Sequence, residues 1–263
     1  MIKITVSNQR GGVGKTTTTL TLARCLADLG KRVLVIDTDS QGSIWMSLQL
    51  QPVYWLHHLV IDQMAVSQIA IQAHPNIDVV ASDRRTIRVE STLSAQTARE
   101  MVFYSLFSVA ERQYDAILFD VAPSISHLQS CAIAYTKNVL IPVAMDALSI
   151  EGARASLQSI EVLNQFLRLG CRAIGFLPTF VDYRLSATEV VLSALNKHSE
   201  QSGIPVLHPI RTDQAVNKAL RNHKFLQDWD PRSKALEDYQ TACKQILDRL
   251  SKEKSSAEAE TIA

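Results

Sequence analysis

Four cysteines in 263 residues, Cys25, Cys131, Cys171 and Cys243, are all this chain has. They are too widely spaced for C-x-x-C or a histidine-paired set, which disfavours a zinc site or a disulfide framework and leaves buried thiols as the expectation. No apolar run approaches the roughly 20 residues of a membrane-spanning helix, and Met1 leads straight into a strand. Secretion and membrane insertion are therefore not expected, and a cytoplasmic protein is. An excess of either charge is also missing: 27 Lys+Arg stand against 26 Asp+Glu. That balance excludes a grossly basic nucleic-acid-binding protein and requires any basic patch to be argued residue by residue. No internal repeat or linker-like stretch divides the chain. With 46% hydrophobic residues it can bury one sizeable core, so a single domain over residues 1–250 is expected. Residues 251–263, rich in Lys, Glu, Ser and Ala without apolar anchors, read as a flexible tail.

What the chain does contain is a rhythm of short β-rich runs and longer helical patterns. The runs are 2–6, 33–36, 77–80, 116–119, 139–143, 173–177 and 205–207. Helical periodicity is clearest over 16–29, 97–111, 150–169, 187–201 and 233–250. This alternation predicts an α/β fold, a doubly wound and mostly parallel sheet flanked by helices.

The first run leads into Asn8-Gln9-Arg10-Gly11-Gly12-Val13-Gly14-Lys15-Thr16-Thr17, at a strand-to-helix turn. Glycines 11, 12 and 14 let backbone N–H groups converge on an anion, and the helix starting near Lys15 adds its positive end. Lys15 and Thr16 can then reach terminal phosphates and Mg²⁺. The second run ends in Asp37-Thr38-Asp39, two carboxylates at the edge of the sheet where α/β proteins bind ligands. Alone, such a pair reads as a capped turn; beside a phosphate loop it can hold Mg²⁺ or orient an attacking water. A third acid, Asp120, closes the apolar strand 116–119 and can reach Mg²⁺ through water.

The loop departs from G-x-x-x-x-G-K-[ST], because Gln9 stands where the first glycine belongs. It resembles instead the deviant Walker A motif of the ParA/MinD ATPases, with Arg10 at the place of the signature lysine. Asp37 to Gly42 is similar to that family's D-x-D-x-Q-G. The likeness continues through Leu140–Val143, Leu148–Gly152, Gly175–Asp182 and Pro209–Lys234, so it spans about residues 1–250 and favours the ParA, Soj-like branch.

The resemblance implies an ATPase with weak intrinsic activity, using ATP and Mg²⁺. Gly11, Gly12, Val13, Gly14, Lys15, Thr16 and Thr17 would cradle the nucleotide and Thr179 would lie near the base. Thr16, Asp37 and Asp120 would serve the metal, and Asp39 would be the hydrolytic carboxylate. Arg10 would reach across a nucleotide-sandwich homodimer. The family also implies non-specific DNA binding in the ATP state through basic residues near the C-terminus, here Arg211, Lys218, Arg221 and Lys224, with nucleoid association. Lys218 and Arg221 share a face if 213–221 is helical. The alternative for that face is ordinary solvated surface balanced by Asp213, Asp228 and Asp230.

The implied partner is a ParB-like protein or cargo adaptor that stimulates hydrolysis, and the cargo, DNA or another body, is left open. No residues before Ile2 provide a helix-turn-helix domain, so operator-specific recognition is not expected. A MinD-like membrane-associated ATPase is the alternative. It needs an amphipathic C-terminal helix, whereas 239–250 reads as a core-packed helix. An electron carrier of the nitrogenase-reductase type would need more cluster cysteines than Cys131.

Overall fold

The computed structural model describes residues 1–262, with side chains as far as residue 252. Its strands are β1 (Ile2–Val6), β2 (Val33–Asp37), β3 (Ile71–His74), β4 (Ile77–Val80), β5 (Ala116–Asp120), β6 (Asn138–Ala144) and β7 (Arg172–Thr179). They form one sheet in the order β3-β4-β2-β5-β1-β6-β7. Every neighbouring pair is parallel except β3 with β4. Parallel strands need crossover helices, which cover both faces of the sheet, so central strands read as unbroken apolar runs. Val33–Asp37 and Ala116–Asp120 are buried at every position.

Successive side chains still sort to opposite faces. Val33, Val35, Ala116 and Leu118 join one core, with Leu20, Leu22 and Leu26 of the helix Lys15–Asp28. Leu34, Ile36, Ile117 and Phe119 join a second core on the other face, with Phe103, Phe107 and Tyr135. A third core lies between β6, β7 and the helices Ala147–Leu167 and Ser186–Ser202.

The last helix, Lys234–Ile262, packs on Lys15–Asp28. Tyr239, Ala242, Cys243, Ile246 and Leu250 lie in the first core, and the Tyr239 hydroxyl meets that of Thr18 at 3.1 Å. The apolar face of 239–250 is therefore spent on packing. Cys25 and Cys243, remote in sequence, lie in this same core, and all four cysteines are free and buried. Among the described residues no helix is long and apolar enough to cross a membrane. The backbone of the last helix continues to Ile262. From residue 253 on, the expected tail lies outside the residues whose side chains are described.

Three local readings change. A short hairpin strand, β3, precedes β4. Residues 205–207 make only an isolated bridge, Phe176 with Val206. The periodic stretch 97–111 is broken into the helix Val102–Phe107 with 3₁₀ turns Arg99–Met101 and Ala110–Arg112 at its ends. Its apolar spacing reports the buried face correctly, and Ala98, at φ 53°, sets where the helical backbone of this stretch begins.

Register places the site. Val6 pairs with Asp120 and Asp37 with Asp120, so β1, β5 and β2 end level with one another at the carboxyl edge. The loop after β1 and the acids ending β2 and β5 converge there.

Candidate nucleotide site

Gly14 caps the helix Lys15–Asp28 at φ 83° and Gly12 has φ 76°. This left-handed backbone is open to glycine and strained for other residues, and it curls the loop round the helix N-terminus. Gly11 and Gly12 are exposed, so the cradle is open to solvent. Lys15 is buried, and its Nζ donates to the Arg10 carbonyl at 3.0 Å, spanning the loop. Burial holds this ammonium below the ordinary lysine range, opposed by the attraction of Asp120 and Asp39.

Thr16 Oγ1 donates to Asp120 Oδ2 at 2.6 Å. Asp120 is 1% exposed and its Oδ1 is buried with no hydrogen-bond partner. Burial pushes its pKa up to about 7, although Thr16 and Lys15 pull the other way. A buried carboxylate oxygen left unpaired is costly, and a divalent cation would satisfy it. A hard-oxygen pair, Thr16 hydroxyl and Asp120 carboxylate, suits Mg²⁺. Among the described residues no cluster of three His, Cys, Asp or Glu side chains could hold a metal. Phosphates and water would therefore have to complete the shell.

Asp37 is fully buried, with Oδ1 accepting from the Asp39 N–H at 2.9 Å and Oδ2 from the Ile44 N–H at 3.2 Å. Burial, then repulsion from Asp120, raises its pKa well above the usual carboxylate range. It pins the loop that carries Asp39. Asp39 itself is half-buried, turns its Oδ1 to the Gln41 N–H at 2.9 Å, and lines a cleft of about 300 Å³ with Gly11, Gly14, Lys15, Thr16 and Phe180. That is within the size range of ligand pockets. Three larger clefts, of about 560, 700 and 470 Å³, include neither the loop nor these acids.

Thr179 sits behind the loop: it is buried and its hydroxyl donates to the Val13 carbonyl at 3.0 Å. The next residue, Phe180, lines the cleft instead. Its ring lies against Gly14, 3.4 Å from where a Cβ would stand, and it is held at φ 55°. No sequence signal marked Phe180. Arg10 is exposed, and among the described residues no hydrogen bond or ion pair holds its guanidinium.

The basic segment lies on the helix Gln214–Arg221 and the turn after it. Lys218, Arg221 and Lys224 are exposed, and Lys224 stands 6.0 Å over the Trp229 ring. Arg211 differs from them. Its Nε and Nη2 hold the buried Asp238 at 2.8 and 2.7 Å, and Nη2 also meets Glu237 at 3.0 Å. Burial would raise the Asp238 carboxyl, but Arg211 holds it below its usual range. Arg211 is thus committed within the chain, and free cationic surface is left to the other three.

Comparison with known proteins agrees with this geometry. The AAA domain family model matches residues 1–169. The sporulation initiation inhibitor protein Soj of Bacillus subtilis is 29% identical over 249 residues, covering 92% of this chain and 97% of that protein. The chromosome-partitioning ATPase Soj of Thermus thermophilus is 31% identical over 200 residues, 74% of this chain and 76% of that one. The apo McdA structure from Cyanothece superposes with a TM-score of 0.84 at 19% identity, over 94% of this chain and 99% of that one.

Proposed function

This chain belongs to the ParA/MinD superfamily of ATPases, in its Soj-like branch, and we propose that ATP converts it to a sandwich dimer that binds DNA until hydrolysis releases it. It is an ATPase of the partition type. The observation that carries the mechanism is the convergence of Lys15, Thr16 and Asp39 on one cleft, with Asp120 bonded to Thr16 behind it. Loop N–H groups and Lys15 bind the phosphates. Thr16 and Asp120 would hold Mg²⁺, which when bound neutralises charge on the phosphates. Asp39, on a loop pinned by Asp37, orients the attacking water. Arg10, permanently charged and without a side-chain partner among the described residues, would reach the nucleotide of a second copy and stabilise charge developing there.

For DNA, the supporting observation is where the neighbouring acids go. Asp213 caps its helix and binds Ser233, and Asp228 pairs with Arg24 at 2.6 Å. Neither neutralises Lys218 or Arg221, which are exposed and make no ion pair among the described residues. Such a face meets backbone phosphates without reading sequence. A ParB-like or cargo-adaptor protein that stimulates hydrolysis would complete the cycle. The membrane reading loses support because the apolar face of 239–250 is in the core. Light scattering with ATP and Mg²⁺ tests the scheme: the mass doubles with ATP and not with ADP, and an unchanged mass overturns the sandwich.

A further inference from the structure

Asn8 is fully buried, and its side chain ties three backbone points together. Its Nδ2 donates to the carbonyls of Pro142 at 2.7 Å and Ser149 at 3.1 Å, while its Oδ1 accepts from the Arg10 N–H at 3.0 Å. Gly152 faces this arrangement. A Cβ there would stand 2.2 Å from Asn8 Oδ1 and 2.9 Å from Arg10 Cβ. Glycine inside the helix Ala147–Leu167 costs roughly 1 kcal/mol relative to alanine. What it provides is close approach of loop to helix. Gln9 extends the contact, its N–H bonding the Gly152 carbonyl at 3.3 Å and its Nε2 the Ala155 carbonyl and Ser159 Oγ at 3.1 and 2.9 Å.

Residue 10 is therefore fixed at its N–H by Asn8, against Gly152 at its Cβ, and at its carbonyl by Lys15. Only the arginine side-chain torsions remain free. The phosphate N–H groups of the loop lie beyond this point, so the brace acts on Arg10 more than on the cradle. We infer that Asn8, Gln9 and Gly152 are positioning residues for Arg10 in ATP hydrolysis; this rests on the proposed action of Arg10 on the nucleotide of a second copy. A small misplacement of a charge-stabilising group is enough to lower turnover strongly while leaving ground-state binding in place.

The test combines Gly152→Ala with Arg10→Ala in the full chain. Gly152→Ala is expected to keep ATP affinity within about threefold, lower kcat by about 10- to 100-fold, and speed amide hydrogen exchange at Arg10 in nucleotide-free protein. In the Arg10→Ala background it should lower kcat no further, because both changes remove one effect. Gln9→Ala is the milder variant, with a loss of about threefold and the same non-additivity. Parent-like turnover in Gly152→Ala and Gln9→Ala, or losses that add to that of Arg10→Ala, would overturn the inference and leave the role of Arg10 standing. Parent-like turnover in Arg10→Ala itself would overturn the underlying reading, and the inference with it.

Discussion

At the carboxyl edge of the sheet Lys15, Asp37 and Asp120 are all buried; on the segment after Asp213, Lys218, Arg221 and Lys224 all stand in solvent. The first group is held against the preference of charge for water. Folding supplies N–H donors for Asp37 and a carbonyl acceptor for Lys15 but leaves one Asp120 oxygen without a partner among the described residues. The second group is stable in any case, and its readiness for a polyanion depends on acids being tied elsewhere. A buried, incompletely satisfied cluster points to a bound ligand through its energetic cost, whereas an exposed patch points to a partner only through its surroundings.

The comparison breaks first at Lys15. Lys15→Ala removes the cation that lines the cleft, and nucleotide affinity should fall at least about 100-fold by equilibrium titration. The same change should leave the fold intact. At Asp39, Asp39→Ala should leave ATP affinity within about threefold and lower kcat by about 10- to 100-fold in a phosphate-release assay. Native turnover in that variant would remove Asp39 from the water-orienting role.

At the basic face, Lys218→Ala with Arg221→Ala should weaken DNA binding about tenfold for any sequence, and flatten the salt dependence by about two. Arg211→Ala makes the contrast sharper. It leaves the buried Asp238 carboxylate with fewer donors, so it should lower Tm by roughly 4–8 °C and change the salt slope little in the protein that remains folded.

The smallest effect concerns Asp120. Its pKa in the folded protein, about 7, lies above the ordinary 3.8, so ionisation favours the unfolded chain. The penalty is absent below about pH 4, grows as pH rises towards 7 and is complete above it. Asp120→Asn should therefore raise the Tm of nucleotide-free protein by roughly 2–6 °C at pH 8, with the gain shrinking by pH 5.5. It should also weaken Mg²⁺-dependent nucleotide binding. Equal melting of the two proteins at pH 8 would show that the buried carboxylate carries no such strain.

The nucleotide end was legible because its chemistry is local in sequence. Gly11 to Thr17 lie within one turn, and Asp37 and Asp120 each end an apolar run whose burial follows from its composition. Side-chain direction was not legible. Thr179 and Phe180 are adjacent, and only the backbone after β7 decides which of them lines the cleft. Arg211 looked equivalent to Lys218 because Asp238, its partner, lies 27 positions away. Gly152 carried a usable signal, a glycine within a helical pattern, but what it approaches is set by tertiary packing. The hairpin strand Ile71–His74 and the late helix start after Ala98 depend on neighbours more than on local propensity.

The central claim is that ATP gates the basic face. It is tested by measuring the affinity of two duplexes of unrelated sequence without nucleotide, with ADP and with ATP plus Mg²⁺, across a salt series. The account predicts equal binding of both duplexes with ATP, falling steeply with salt, and binding at least about tenfold weaker in the other two states. Equal affinity in all three states, or a strong preference for one sequence, would contradict it.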